Sequence, residues 1–200
     1  AGKRSYVLEG NLNYTGAVIS WLKDKMHLIG DPIEVESLIA QANPTDRTYF
    51  VPAFTGLGAP WWDAKATGLL TGITRTTGRA EMVKACAESI PFQIADVIEA
   101  LEGDTNRKIR EIRVDGGVTQ NKYLMQLQAD ITGSSVAISS LAELSAAGVA
   151  YLAGVSVNMY QRNVIYEGLS QTRLIPMMAS SEKKKRLCEW HRALQQARGA

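Results

Sequence analysis

The sequence contains few of the residue types on which common catalytic and metal sites depend. It has two cysteines and two histidines in 200 residues, and Cys86 and Cys188 have no metal-ligand spacing. It also has no P-loop, GxGxxG, HExxH or paired-cysteine zinc pattern. Hydride transfer, metal hydrolysis and Ser-His or Cys-His catalysis therefore have no support, and we expect His27 and His191 to be bystanders.

Charge imbalance and long apolar runs are absent as well. The net charge of +2 is too small to indicate a nucleic-acid or membrane partner, and we expect neither. We find no signal peptide and no run long enough to span a bilayer. The two separated cysteines fit a reducing, cytoplasmic setting. With 46% apolar residues the chain can build one sizeable core, which predicts a single globular unit.

Helical and strand patterns alternate along the chain, which predicts an α/β fold. Strands are expected at residues 5–8, 49–51, 69–74, 109–114 and 136–138. Helices are expected at residues 14–30, 31–43, 79–101, 121–131 and 181–199. A further helix, rich in small residues, is expected to begin at a capping box at residues 140–143.

Two of these helices have unusual sequences. Pro91 lies in the middle of the long helix, where it should cause a kink or divide the segment into two abutting helices. The last helix is basic and is expected to be a solvated lid. We expect Leu187, Trp190 and Leu194 on its inner face and its basic side chains outward or at the ends: Lys183, Lys184, Lys185, Arg186, Arg192 and Arg198.

A double glycine follows the strand at residues 109–114. Gly116 and Gly117 stand between that strand and a helix that begins near Asn121, so a ligand could lie directly against the backbone. The helix N-terminus would favour an anionic or polar group there. The alternative is a plain turn, in which the carboxylate of Asp115 bonds its own turn instead of contacting a metal-bound phosphate.

Four motifs resemble a known family, in order and over nearly the whole chain. They resemble the C-terminal nucleotide-binding domain of the FGGY carbohydrate kinases, and within them the glycerol kinases. The motifs are YFVPAFTGLGAPWWD at residues 49–63, RVDGG at 113–117, LMQLQAD at 124–130 and AYLAG at 150–154.

The resemblance implies an actin-like, ribonuclease-H-like ATPase domain over residues 1–200. It also implies transfer of the γ-phosphoryl group of ATP to a hydroxyl of glycerol, with ATP and Mg²⁺ as cofactors. Gly16, Gly117 and Asn121 match residues that contact the adenine nucleotide, ATP or ADP, and we add Gly116 and Ser20 as candidates. Ser20 stands where glutamine is usual, as Thr67 does for arginine and Pro91 for alanine.

In the family, the catalytic aspartate, the polyol pocket and a phosphate-binding hairpin precede the point that matches Ser5. We therefore expect a domain that is incomplete at its N-terminal side, without a catalytic or metal residue of its own and inactive alone. Glycerol would bind through the missing N-terminal domain. A homo-oligomer, and a different sugar or polyol as substrate, stay open.

Two other functions stay open. A non-catalytic module could retain the fold and bind a partner through its basic last helix. A ribonuclease-H-like nuclease would need several carboxylates at strand ends to hold two metals, and Asp115 alone qualifies.

Overall fold

The computed structural model describes residues 6–141, 144–161 and 171–199. Within these ranges helices and short strands alternate, which confirms the α/β class. The helices are α1 (Gly16–Asp24), α2 (Glu34–Gln41), α3 (Arg79–Thr105), α4 (Lys122–Thr132), α5 (Leu144–Ser156) and α6 (Ser180–Ala197). The strands are β1 (Tyr49–Val51), β2 (Leu69–Thr71), β3 (Glu111–Val114), β4 (Ser135–Ser139) and β5 (Gln171–Leu174).

The described strands form two sheets. In the larger one, β3 pairs in parallel with β4, and β4 pairs antiparallel with β5. Helix α4 is the crossover between the two parallel strands, as a parallel pair requires. The smaller sheet is an antiparallel pair in which Phe50 lies opposite Leu70, and its second strand is shorter than the predicted 69–74.

Helix α3 is the helix around which the described elements pack. It contacts α1, α2, α4 and β1, and its buried apolar residues belong to both hydrophobic clusters of the core. The helix continues through Pro91 and ends four residues later than predicted, so the alternative of two abutting helices is wrong. Phe92 and the proline itself are buried, so packing on all sides offsets the backbone hydrogen bond that proline removes. A kink stays a prediction.

The last helix, α6, covers the core with its inner face and leaves Lys184, Lys185 and Arg192 exposed, as predicted. Trp190 and Leu194 are buried as predicted, and the ring of Trp190 stacks on Phe92 at 5.3 Å between centroids. Arg186, which was predicted to point outward, is buried and lies 2.6 Å from Glu88 of α3. The outward prediction is wrong here, because the buried carboxylate provides a partner that helical periodicity does not reveal.

Glu88 and its partners form a network in the core. Tyr123 of α4 donates a hydrogen bond to the Glu88 carboxylate, and Lys84 lies 3.8 Å from it. Burial and the neighbouring carboxylate raise the pKa of Tyr123. Burial acts to lower the pKa of Arg186, but the attractions of Glu88, Tyr123 and Tyr49 together outweigh it, and the net direction is upward. Tyr123 and Arg186 therefore stay protonated and keep the hydrogens that they donate to Glu88.

Asp96, about two turns further along α3, accepts three hydrogen bonds. Its Oδ2 accepts from Nε1 of Trp190 at 2.8 Å and from Nε1 of Trp61 at 3.2 Å. Its Oδ1 lies 2.9 Å from Nε2 of His191. Since Asp96 is 3% exposed, this carboxylate ties the 52–63 loop and α6 to α3.

Some predicted elements differ from the structure in other ways. Residues 6–8 belong to no strand and are exposed, while Ser5 lies outside the described residues. A strand needs a partner for its backbone groups, and the described part of the chain offers none at this point, so that prediction is wrong. Half of the predicted capping box, residues 142–143, also lies outside the described residues. In α5 only Gly154 is buried, so its small residues do not pack closely against described elements.

The first prediction concerns the buried ion pair. We expect Arg186→Met to lower the free energy of unfolding by about 3–5 kcal/mol, because it leaves the Glu88 charge uncompensated in the core. The matched control is Arg192→Met on the exposed face of the same helix, which should change it by less than about 0.5 kcal/mol. Urea unfolding measures both. Equal losses in the two variants would contradict the account, and adding Glu88→Gln to Arg186→Met should recover much of the stability.

The second prediction concerns pH. The hydrogen bond to Asp96 raises the pKa of His191 above its ordinary 6.5, more than burial lowers it. A raised folded-state pKa adds stability that is complete below the unfolded-state value and is lost as pH rises through the folded-state value. The stability of the native chain relative to His191→Gln should therefore be larger at about pH 5.5 than at about pH 8.5. An Asp96→Asn background should remove the difference; a pH-independent difference in the native background would contradict the assignment.

Candidate nucleotide cleft

A cleft of about 760 Å³ lies where α1, α2 and the start of α4 meet. Four of the five candidate residues, Gly16, Ser20, Gly117 and Asn121, line it together. Gly116 does not line it but directly precedes the turn that does. Residues more than a hundred positions apart in sequence thus meet at one surface.

The double-glycine turn forms one side of the cleft. Gly116 has φ 92°, a left-handed conformation that glycine adopts without the cost that a side chain imposes. Gly117 then begins a 3₁₀ turn, Gly117–Gln120, which leads to the start of α4. Hydrogen bonds from the backbone N–H and hydroxyl of Thr119 to the Gly116 carbonyl, at 3.1 and 2.7 Å, close this turn. A Cβ added at Gly117 would meet no atom within 4 Å, so the backbone there faces open space.

Asn121 caps the helix that follows. Its Oδ1 accepts the N–H of Leu124 at 3.0 Å, as an N-cap residue does. The cap thus holds the side chain at the N-terminus of α4, and Asn121 lines the cleft there. The predicted helix start and its end at Gly133, which is in the left-handed conformation, are both confirmed.

Helix α1 forms the floor of the cleft. Its apolar face, Val18, Ile19 and Leu22, is buried in the core, which leaves Ser20 exposed. A Cβ at Gly16 would lie 3.9 Å from Cγ2 of Val118, so the first residue of α1 touches the 3₁₀ turn. The hydrophobic periodicity of α1 therefore explains why Gly16 and Ser20 face the cleft.

The third side consists of residues that the sequence did not single out as a site. The connection before α2 and its first turn contribute Asp31, Pro32, Ile33, Val35 and Glu36. The sequence signal for this segment was the helix start at residues 31–34. The structure places that start one turn later, at Glu34, but keeps the Asp31 cap, whose Oδ1 accepts the N–H of Ile33 at 2.9 Å.

The charged residues that line the cleft are both acidic, Asp31 and Glu36. Asp115, near the double glycine, neither bonds its own turn nor lines the cleft: its Oδ2 accepts the N–H of Leu144 at 3.3 Å. Across the described ranges no group of three or more histidine, cysteine, aspartate or glutamate side chains is arranged to hold a metal ion. These side chains do not fit a Mg²⁺ ion held by the protein, so we derive no step through one.

A second groove, of about 790 Å³, lies beside the β1–β2 pair and contains none of the candidate residues. Its rings pack on one another: Trp21 stacks on Phe50 at 5.3 Å and tilts against Phe54 at 5.0 Å between centroids. The groove is slightly larger than the first cleft, but it lacks the glycine corner and the helix N-terminus.

No helix in the described residues meets the length and hydropathy needed to cross a membrane.

Solved structures with similar folds are sugar kinases with the actin-like ATPase fold. The xylulose kinase from Lactobacillus acidophilus matches 94% of this chain with a TM-score of 0.73 at 23% identity, which shows the fold alone. The glycerol kinase from Plasmodium falciparum, solved with ADP, matches 91% of this chain and 37% of its own with a TM-score of 0.83 at 33% identity.

The chain belongs to the FGGY family of carbohydrate kinases: residues 1–157 match the model of the family's C-terminal domain. Among curated relatives, a glycerol kinase from Rhodopirellula baltica is 43% identical over 98% of this chain. Glycerol kinase 2 from Thermotoga maritima is 42% identical over 99% of it. This chain spans 37% and 40% of the lengths of these two relatives. The resemblance recognised in the four motifs is confirmed.

The third prediction tests the glycine corner. We expect Gly117→Val to reduce ADP affinity at least tenfold, because a branched side chain would occupy the open space beside the turn. Stability should change little, since φ at Gly117 is not in the left-handed region. The matched control is Gly103→Val, an exposed glycine in α3 whose Cβ also meets no atom. Calorimetric titration of both variants decides it, and unchanged ADP affinity in folded Gly117→Val would show that nothing approaches this turn.

Proposed function

We propose that this chain is the nucleotide-binding domain of a glycerol kinase and that the cleft bordered by Gly16, Ser20, Gly117 and Asn121 binds ATP or ADP. The observation that carries this proposal is the convergence of those residues at one cleft. They come from two segments that are far apart in sequence: the local pattern indicated the double-glycine corner, and the resemblance added Gly16 and Ser20. A relative solved with ADP has the same fold over this chain, which supports the same assignment.

The chemistry of the cleft agrees with a nucleoside. Small-molecule sites combine apolar walls with a few placed polar groups. The walls here are Ile19, Ile33, Val118 and Leu124, and the polar groups are the Ser20 hydroxyl, the Gln120 and Asn121 amides and the two carboxylates. We propose that Mg²⁺ arrives with ATP, bound through its phosphates, and that glycerol binds to the N-terminal domain that the relatives carry.

In this proposal the chain supplies binding and orientation in the kinase reaction. Phosphoryl transfer depends mostly on positioning and on stabilising the charge of the γ-phosphoryl group. By resemblance, the general base and the polyol pocket belong to the N-terminal domain. The chain as a whole, residues 1–200, would act as one C-terminal domain. The particular polyol or sugar and the oligomeric state stay open.

The alternative hypothesis, a non-catalytic module that binds a partner through the last helix, has less support from the structure. It requires the basic last helix to present its charges to a partner, but Arg186 is engaged with Glu88 in the core. The intact glycine corner also favours a site that still holds its ligand.

The fourth prediction concerns activity. We expect the chain alone to form no glycerol 3-phosphate from Mg-ATP and glycerol. Loss of a general base removes about 10²–10⁴ in rate, and loss of mutual orientation removes up to about 7–11 kcal/mol of barrier lowering. A coupled assay against a boiled control measures it. Product above the control would contradict the division of roles, whereas activity on adding the N-terminal domain of a close relative would support it.

A further inference from the structure

One side chain of the cleft is unusual in being large, apolar and almost fully exposed. Ile33 lines the cleft, yet 82% of it is accessible to solvent. Its neighbours in sequence differ: Val35 is 2% exposed and packs in the core. A single exposed isoleucine is ordinary on a protein surface, but this one lies on the wall of a cleft whose other sides carry the candidate nucleotide residues.

The segment that carries Ile33 is held rigidly. Oε1 of Glu34 accepts the N–H groups of both Gly30 and Asp31 at 3.0 Å, and the Ile33 N–H bonds to Asp31. Arg79, at the start of α3, donates to the Leu28 carbonyl and lies 3.1 Å from Oε2 of Glu34. The backbone before α2 is therefore fixed against α3.

The far end of α2 is fixed by the same turn of α3. Oε1 of Glu81 accepts the N–H of Asn43 at 2.8 Å, while its Oε2 accepts the N–H of Gly78 at 2.8 Å. These backbone hydrogen bonds, that of Asn43 foremost, lower the pKa of Glu81, so the carboxylate stays ionised and the tie persists. With both ends of α2 attached, the backbone position of Ile33 beside the cleft is set before any ligand binds.

The charges of the cleft exclude the phosphates from this wall. The charged side chains that line the cleft, Asp31 and Glu36, are acidic and flank Ile33 in sequence, so an anionic phosphate would be repelled here. A neutral, flat, polarisable group would instead cover the isoleucine and remove its apolar surface from water.

On this geometry we propose that Ile33 is an affinity-determining residue for the base of the nucleotide: its exposed side chain, carried on a fixed backbone, packs against the face of the purine in the cleft that Ile19 and Val118 also line. The inference rests on the proposed nucleotide site and adds to it a residue that no motif indicated. Glu34 and Arg79 are then positioning residues, because they fix the segment without lining the cleft.

The test compares adenosine with ADP as ligands of the 200-residue chain, by NMR titration. Ile33→Ala should weaken both about fivefold to tenfold and by the same factor, since the lost contact is with the base. Ile33→Leu should stay within about twofold. The matched control is Ile73→Ala, an isoleucine 59% exposed that does not line the cleft; it should leave both affinities unchanged.

The outcomes separate the inference from the proposal beneath it. Unchanged binding of both ligands to Ile33→Ala, with normal binding to the native chain, overturns only the role of Ile33. A loss confined to ADP also overturns it, because the residue would then lie beside the phosphates. No binding of either ligand to the native chain overturns the nucleotide site and the inference together. A melting-temperature measurement on Ile33→Ala, expected to match the native chain, shows that the loss is not one of folding.

Discussion

Two buried carboxylates on one helix hold the described elements in their relative positions. Glu88 and Asp96 of α3 are 4% and 3% exposed, and burying a charge costs several kcal/mol unless it is paired. Glu88 is satisfied by Arg186 and Tyr123, and Asp96 by two tryptophan N–H groups and His191. Because the partners come from α4, α6 and the 52–63 loop, movement of any of these away from α3 would remove a hydrogen bond from a buried carboxylate.

The cleft depends on the same helix at its other end. The first turn of α3 fixes both ends of α2 through Arg79 and Glu81. The apolar residues of α1, α2 and α4 belong to the same hydrophobic cluster as those of the first half of α3. The open face of the cleft is thus what remains when each surrounding helix has buried its apolar side. A cleft formed in this way does not depend on a ligand, which would lower the ordering cost of the proposed binding.

Local patterns predicted much of this arrangement. Periodicity and caps located α4 from Asn121 to Gly133 and the strands at residues 49–51 and 136–138, because these depend on nearby residues. The buried position of Arg186, the continuity of α3 through Pro91 and the absence of a strand at residues 6–8 depend on distant partners. Sequence patterns do not contain that information.

Part of the candidate site was likewise predictable from local sequence, and part was not. The glycine corner and Asn121 could be found from the sequence, since a double glycine before a helix is a local signal. Resemblance was needed to add Gly16 and Ser20, which reach the corner only through the packing of α1. The wall from Asp31 to Glu36 was visible only as a helix start. Its role in the cleft follows from the way Glu34 and Arg79 fix that segment.

The central claim is that an adenine nucleotide occupies the cleft between α1, α2 and the double-glycine turn. The most direct measurement is a titration of the isotope-labelled chain with ADP, followed through its backbone amide chemical shifts. The account predicts that the first and largest changes occur at Gly16, Ser20, Gly117 and Asn121. Changes that cluster instead on α6, between Lys183 and Arg192, would place the ligand on the basic helix and contradict it.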